Sequence, residues 1–299
     1  MEGKRHHIGV ITVRGLSYPP TRRLAEAAAA RNCRIVAIHP YQVWPAIIKG
    51  RSVVLGDIEV GQLRAVMPRQ GAEIRDACLP LISYFEQMDL AVINRRHAIE
   101  LVKNKYDTLR HLAAAGLPVL DTVFLPSADG FSEALRQLDR RTVVLKPVSD
   151  RQGNNIHRVD GNDGVIPEEL MAELHLGRGL LCQAYLPPEG RRDYRFLVIG
   201  GRVAAAMQQI PPPGEFRANI HLGAEARPVS LSPAIARLAQ RAVEAVGLQI
   251  AGVDIMVCAN QRIYINEVNY TPGFRGLEQA TGLDIAGAVI DYIRSGTAG

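Results

Sequence analysis

The stretch Ile265-Asn266-Glu267-Val268-Asn269-Tyr270-Thr271-Pro272-Gly273-Phe274, read with Asp254 and the short turn between them, decides how the rest of the chain is understood. It supplies two carboxylates and an amide oxygen within reach of one hard cation. With Cys258 to Gln261 as a hairpin loop, Val257 faces Arg262, Asp254 lies opposite Ile265, and Glu267 is its diagonal neighbour. Cross-strand diagonals lie roughly 7–8 Å apart, a gap that two carboxylates close around one or two ions. The period of two in a strand puts Glu267 and Asn269 on one face. Asp, Glu and Asn are hard oxygen ligands that suit Mg²⁺, with Mn²⁺ as an alternative, and not zinc. A surface hairpin with its polar residues in water is the simpler alternative. The flanking Ile255, Val257, Ile263, Ile265 and Val268 argue against it, because carboxylates beside a core need a partner or a metal. Oxygen-ligated Mg²⁺ in a nucleotide enzyme sits against phosphates, so the stretch points to Mg-nucleotide chemistry.

Working outward, the front of the chain has a different character. His7 to Val13 reads as a buried strand, Thr21 to Arg31 as an Ala-rich helix, and Arg34 to His39 as a second strand. This is the start of an open α/β sheet. No Gly-x-Gly-x-x-Gly accompanies it, so a dinucleotide fingerprint is not supported. A further apolar stretch ends at Met67, ahead of a helix over about 72–87 and a short strand at Leu90 to Ile93. Ile99, Val102, Leu109 and Leu112 carry helical periodicity from Arg96 to Ala115, which Gly116 and Pro118 stop. Strands follow at Val119 to Leu125, Thr142 to Val148, Leu180 to Tyr185, Tyr194 to Ile199 and Arg202 to Gln208. Gly200-Gly201 forms a tight turn between the last two. Helices are expected at Ser132 to Leu138, Ser232 to Val246 and Leu283 to Arg294. The change from a βα pattern to hairpins mixed with helices sets a domain boundary near Asn94 to Ala98.

Several cationic residues sit where strands are apolar. Lys146 lies inside Val143-Val144-Leu145-Lys146-Pro147-Val148, and a lysine in a buried strand needs an anionic partner. Gly153, in the polar run that follows, frees the backbone for an anion-binding nest, although a plain polar turn has the same composition. Arg195 in Asp193-Tyr194-Arg195-Phe196, and Arg217 with Asn219 in Phe216-Arg217-Ala218-Asn219, offer guanidinium forks for carboxylate or phosphate. Asp193 is either an ion-pair partner or a ribose acceptor. Lys105 on its own reads as a solvated helix face.

Composition bounds these readings. With 47% hydrophobic and 22% charged residues, the chain of 299 residues is ordinary globular protein and long enough for two small domains. No apolar run approaches the roughly 20 residues of a membrane helix, so no membrane partner is expected. Met1 to Lys4 leads straight into a strand, and no signal peptide is expected. Cys33, Cys78, Cys182 and Cys258 are far apart in apolar contexts, which fits reduced residues in a cytoplasmic protein. The net charge of +5 suits acidic partners or simply a solvated basic surface. Aromatic content of 5% supplies few stacking platforms, which makes nucleic acid an unpromising partner.

Taken together and in this order, these residues resemble the ATP-grasp fold, specifically the RimK-like alpha-L-glutamate ligase family, over most of the chain. Met67-Pro68-Arg69-Gln70-Gly71-Ala72 looks like the family's segment between its N-terminal domain and the grasp, and the tail from Pro272 to Gly287 is the piece most particular to the subfamily. The resemblance implies α/β and α+β architecture. A Rossmann-like pre-ATP-grasp domain would occupy 1–97. The two ATP-grasp subdomains would follow, at 98–185 with the lysines and phosphate loop and at 186–299 with the metal site. It implies that Lys105, Lys146, Gly153 and Asn219 contact the nucleotide phosphates. Gln183-Ala184-Tyr185-Leu186 would read adenine as the hinge, and Asp193 would contact ribose. Asp254, Glu267 and Asn269 would hold Mg²⁺. Arg195 and Arg217 become candidates for stabilising transferred phosphate or a developing oxyanion, and Arg69 and Arg275 for clamping a glutamyl substrate. The expected partners are ATP, L-glutamate or a similar amino acid, and an anionic carboxylate acceptor, with a homo-oligomer left open. Two departures stand out: Ala184 where the family hinge usually has glutamate, and a phosphate loop poorer in glycine. The other classes kept in view are a non-catalytic nucleotide-binding protein of this fold, against which the metal trio argues, and a basic nucleic-acid-associated protein.

Overall fold

Strand-forming, apolar residues from Ile8 to Ile11 start the first sheet. β1 (His6–Ile11) runs parallel to β2 (Cys33–Ile38), after α1 (Pro19–Ala29) has crossed between them. The computed structural model describes residues 6–69, 76–88, 90–139, 142–149, 155–161, 165–230 and 232–296. An antiparallel hairpin, β3 (Val43–Ile48) and β4 (Arg51–Gly56), follows as a two-stranded sheet of its own. β5 (Leu63–Pro68) returns beside β1. Then α2 (Leu79–Gln87) leads to the short β6 (Ala91–Val92), giving a parallel sheet in the order β2-β1-β5-β6. The hairpin is a feature that the sequence reading did not separate from the apolar stretch ending at Met67. The helix expected from about 72 is seen from Leu79; residues 70–75 lie outside the described residues.

The helical stretch from Arg96 to Ala115 is two helices. α3 (Arg96–Lys103) ends at Asn104, and α4 (Lys105–Ala114) starts immediately after it. Asn104 is extended (φ −95°, ψ 110°), and its side-chain oxygen accepts from the backbone N–H groups of Tyr106 and Asp107. An Asn that caps orphan N–H groups breaks the helix there. Apolar periodicity continues through the break, which is why the spacing alone reads as continuous.

β7 (Thr122–Leu125), α5 (Phe131–Leu138), β8 (Thr142–Pro147), β9 (His157–Asp160), α6 (Glu168–His175) and β10 (Leu180–Ala184) build an antiparallel sheet in the order β7-β10-β8-β9. This sheet has a core of its own, including Leu125, Phe131, Leu145, Leu170 and Cys182.

The remaining elements form a five-stranded antiparallel sheet. β11 (Arg192–Ile199) turns through Gly200 and Gly201, both at positive φ, into β12 (Arg202–Ile210). Two successive left-handed residues make a hairpin turn that glycine adopts without a steric penalty. β13 (Glu225–Pro228), α7 (Pro233–Ala245), β14 (Ile250–Val257) and β15 (Ile263–Asn269) complete it in the order β13-β12-β11-β14-β15. Helices α8 (Arg275–Thr281) and α9 (Ile285–Gly296) close the chain. α9 packs on α1, so Ile285, Val289 and Ile290 share a core with Ile8, Val10 and Leu24. No helix among the described residues is long and apolar enough to cross a membrane.

Candidate functional site

β14 and β15 do not pair as the spacing suggests. Val257 pairs with Ile263 and Ile255 with Ile265, one residue off the expected register. A bulge between Asp254 and Ile255 then brings Glu267 directly opposite Asp254. A bulge places one extra residue, here Asn266, in one strand and re-aims the side chains that follow. The two carboxylates are therefore cross-strand neighbours and not diagonal ones. Asn269 lies two residues beyond Glu267, paired with Gly252.

Each carboxylate carries its own cation. Arg195, paired with Asp254 across β11 and β14, donates to it from Nε at 2.7 Å and from Nη2 at 2.6 Å. Burial alone would lower the affinity of Arg195 for its proton, but Asp254 outweighs it and holds the guanidinium charged. Lys105 Nζ donates to Glu267 at 2.5 Å. Burial pushes the Glu267 carboxyl up, yet Lys105, Lys146 and Arg195 together hold it below the usual carboxylate range. Lys105 reaches this position because α4 begins there: Asn104 caps the helix, and the Lys105 backbone N–H donates to Val148 O at 2.9 Å.

Facing this pair stands Lys146 of β8, buried, with Nζ donating to Gln183 Oε1 at 2.9 Å. Gln183 in turn donates to Thr122 Oγ1 at 2.9 Å. Burial, reinforced by Lys105, pulls Lys146 down to about 8, against the opposing pull of Glu267. The Gln183 side chain thus orients the lysine, and its neighbours Ala184, Tyr185 and Leu186 line the cleft beyond it.

The cleft has an empty volume of about 850 Å³ and lies between the β7–β10 sheet and the five-stranded sheet. Lys146, Asp193, Arg195, Arg217, Asn219, Asp254 and Glu267 all border it, and among the described residues no cysteine or histidine does. Asp193 is buried and its carboxyl is pushed up by burial, which outweighs Arg191 beside it. Its partner is Arg191 at 3.0 Å, not Arg195. Arg191 also donates to Leu186 O at 2.5 Å and to Phe216 O at 2.6 Å, so one side chain straps the hinge, the Phe216 loop and Asp193 together. That residue was missed, although the alternation Arg191, Asp193, Arg195 along one face was legible. Arg217 donates to Glu215, at 2.9 Å from Nε and 2.7 Å from Nη2. Asn219 accepts from the His221 N–H at 3.0 Å. Gln209, paired with Asp193, is also missed; its Nε2 is buried without a hydrogen-bond partner among the described residues, at the wall of the cleft.

Four expected residues stand outside the cleft lining: Lys105, which reaches it only through Glu267, and Asn269, Arg69 and Arg275. Asn269 lies beyond it, while Asn266 faces it. Arg69, just after β5, donates to Pro272 O at 3.2 Å and covers the Phe274 ring at 5.4 Å. It ties the parallel sheet to the loop that follows the carboxylates. Arg275 is exposed at the start of α8 and borders a separate charged cleft with Arg22, Arg23 and Glu278. Gly153 lies outside the described residues.

The donor set fits a hard divalent ion. Among the described residues no three His, Cys, Asp or Glu side chains gather as a metal cluster. Two adjacent carboxylates without soft ligands suit Mg²⁺ that takes its remaining oxygens from phosphate and water.

The sequence profile of the RimK-like ATP-grasp domain matches residues 102–293, and that of the RimK pre-ATP-grasp domain matches residues 7–99. The chain belongs to the RimK-like ATP-grasp family of ligases. It is 33% identical over 288 residues to a probable alpha-L-glutamate ligase of Chromohalobacter salexigens, covering 96% of this chain and 94% of the relative. It is 32% identical over 274 residues to a probable alpha-L-glutamate ligase of Thioalkalivibrio sulfidiphilus, covering 91% and 90%. Among solved structures, the ATP-grasp ligase PsnB, in a complex with a precursor variant, Mg and ADP, superposes with a TM-score of 0.74 at 20% identity, over 98% of this chain and 99% of that one.

Proposed function

We propose that this chain is an ATP-dependent carboxylate–amine ligase that joins L-glutamate to a small-molecule or peptide carboxylate through an acylphosphate. The observation that carries this reading is the facing of Lys146 and the paired carboxylates Asp254 and Glu267 across one cleft. The cleft also sits where ATP-grasp subdomains at 98–185 and 186–299 would clamp a nucleotide against a pre-ATP-grasp domain at 1–97. Three buried cysteines and a fourth half-buried one, none in a disulfide, are consistent with work in the cytoplasm.

In this reading Ala184, Tyr185 and Leu186 hold adenine, and Asp193 accepts from the ribose. Lys146 and Lys105 bind phosphate oxygens, with Asn219 beside them. Asp254 and Glu267 hold Mg²⁺, or Mn²⁺, with Asn269 as a further oxygen. The ion, when bound, neutralises phosphate charge. Arg195 and Lys105 then turn from the carboxylates toward the anions. A substrate carboxylate oxygen attacks the γ-phosphorus, and the bond to the bridging oxygen breaks to release ADP. The glutamate nitrogen next attacks the acyl carbon; phosphate leaves and the nitrogen loses a proton to solvent. Positioning and electrostatics do most of such catalysis, with Arg195 and Arg217 stabilising the transferring group. Arg69, held at the junction of the parallel sheet and the 272–274 loop, is placed to read a substrate carboxylate, and Arg275 serves an outer part of the acceptor.

A phosphate-release screen with L-glutamate against candidate carboxylate acceptors tests this directly. ADP and phosphate are the expected products; AMP and pyrophosphate would rule out the acylphosphate route.

A further inference from the structure

Arg191 does more than balance a buried carboxylate. It stands one residue ahead of β11, lines the cleft, and leaves only 4% of its side chain exposed. An ion pair with Asp193 needs one of its nitrogens, and Nε supplies it at 3.0 Å. The other two go to main chain from two different segments: Nη1 to Leu186 O at 2.5 Å and Nη2 to Phe216 O at 2.6 Å. A guanidinium is a rigid planar fork, so acceptors met by three separate nitrogens are held in one fixed arrangement. The backbone behind it is fixed as well, since the Arg191 N–H donates to Pro188 O at 3.1 Å.

The two carbonyls belong to opposite ends of the cleft chemistry. Leu186 ends the hinge. Phe216 precedes Arg217 in the loop between β12 and β13. The rings of Tyr185 and Phe216 meet edge to face, with centroids 5.9 Å apart, so hinge and loop touch a second time. Next to Phe216 the loop is braced internally. Glu215 Oε1 accepts from the backbone N–H groups of Phe216 and Arg217 and from Arg217 Nε, each at 2.9 Å. A contact that fixes the Phe216 carbonyl therefore also places the Arg217 guanidinium.

We propose that Arg191 is a positioning residue that sets Arg217 at a fixed distance from the nucleotide hinge, so that its guanidinium meets the γ-phosphoryl group of a nucleotide whose base is seated there. This rests on the reading of the cleft given above, in which Ala184, Tyr185 and Leu186 hold the base and Arg217 the transferring group. Asp193 alone does not require an arginine. A lysine would also pair with it, but a lysine ends in one nitrogen and cannot hold acceptors that three separate nitrogens reach.

Calorimetric titration of the full chain with Mg-ADP, then of the ADP complex with beryllium fluoride, separates the two ends of the cleft. ADP reads the hinge and ribose. Beryllium fluoride fills the γ-phosphate position and reads Arg217. The wild-type chain binds both. Arg217→Met weakens beryllium fluoride at least about tenfold, as loss of a charge-assisted hydrogen bond does. Arg191→Lys, which keeps a charge beside Asp193, weakens beryllium fluoride by a similar factor and ADP by much less. The double variant R191K/R217M binds beryllium fluoride no more weakly than Arg217→Met alone, because the strap then has nothing to place. Additive losses in the double variant overturn the proposal. So does an Arg191→Lys chain that loses ADP and beryllium fluoride in equal measure, or loses neither. An Arg191→Lys chain without a folded circular dichroism spectrum makes Arg191 a structural residue and overturns it too. A wild-type chain that binds no Mg-ADP fails the reading of the cleft itself, and the positioning role falls with it; wild-type binding of both probes with Arg191→Lys silent removes the positioning role alone.

Discussion

Lys146 shows how one residue's surroundings set its chemistry. It is buried beside a neutral amide, and burial holds its pKa at about 8 in place of 10.5. Without nucleotide, the unfolded chain binds this proton more tightly than the fold does. Stability should therefore rise as pH goes from about 8 to about 10.5, and change little from this source below 8. Bound phosphates favour the charged form, so nucleotide affinity has the opposite trend. It should fall as pH rises above about 8, with proton uptake on binding visible by calorimetry in buffers of different ionisation enthalpy. Lys146→Met should weaken ATP at least about tenfold and abolish the pH dependence of affinity; an unchanged dissociation constant removes the lysine from the site. The carboxylates need gentler substitutions. Truncating Asp254 to Ala leaves the partly buried Arg195 without its main partner and should destabilise the fold. Asp254→Asn and Glu267→Gln keep shape and some hydrogen bonding, and should lose turnover by at least about 100-fold with folding retained. Full activity in either variant would sink the metal assignment. Gln209 is a sharper case. Its buried amide lacks a partner, so Gln209→Leu removes an unsatisfied group and should leave stability level or raised. If nucleotide supplies the missing partner, the same variant binds ATP more weakly; equal affinity means the amide serves no ligand.

Elements place these residues, and here sequence and structure part company in an instructive way. The strands carrying Lys146, Arg195, Asp254 and Glu267 were all legible, since each is a largely apolar run around its charged residue, with Arg192 and Asp193 joining Arg195 only at the start of β11. The pairing of β14 with β15 was not, because a bulge depends on how two strands twist together and leaves little local signal. Nor was the break between α3 and α4. The apolar spacing passes through Asn104 undisturbed, and only the two N–H groups it caps reveal its role. That cap matters for the site, since Lys105 takes its direction toward Glu267 from the first turn of α4. Asn104→Ala should cost about 1 kcal/mol of stability, as lost caps do. It should also weaken nucleotide binding, while Asn104→Asp, which still caps, preserves both. Equal ATP affinity in the alanine and aspartate variants would separate the cap from the site. The β3–β4 hairpin escaped notice for a different reason. Its alternation is blurred by apolar residues on both faces, with Ile47 exposed on one and Trp44, Ile48 and Leu55 on the other.

Across the whole molecule the cores show which parts pack together. The parallel sheet shares its interior with the five-stranded sheet and α9: Val10 and Leu24 pack in one cluster with Leu197, Ile250 and Ile290. The β7–β10 sheet keeps a separate core. Front and back of the chain should thus unfold as one unit, and the middle sheet as another. Asn94, at the join near which the sequence changes character, holds that unit. It is buried, and its side chain uses its full capacity. Nδ2 donates to Ile250 O at 2.8 Å and Tyr270 O at 3.0 Å, and Oδ1 accepts from the Gln249 and Ile250 N–H groups at 2.8 Å each. One amide therefore stitches the end of β6 to the start of β14 and to the residue just past β15. Asn94→Ala would orphan these backbone groups, at roughly 1–3 kcal/mol for each left buried and unpaired. Asn94→Asp keeps the acceptor but turns a negative charge toward two carbonyls, so it should not rescue. Calorimetry should show the main transition of both variants falling together, and hydrogen exchange should show early opening at β6, β14 and the 270–274 loop. Amides of β8 and β10, whose core lies apart, should keep their protection. A main transition unmoved by Asn94→Ala would mean that the shared apolar cores alone join the two ends of the chain. Simultaneous loss of protection in β8 and β10 would mean that the middle sheet is not an independent unit.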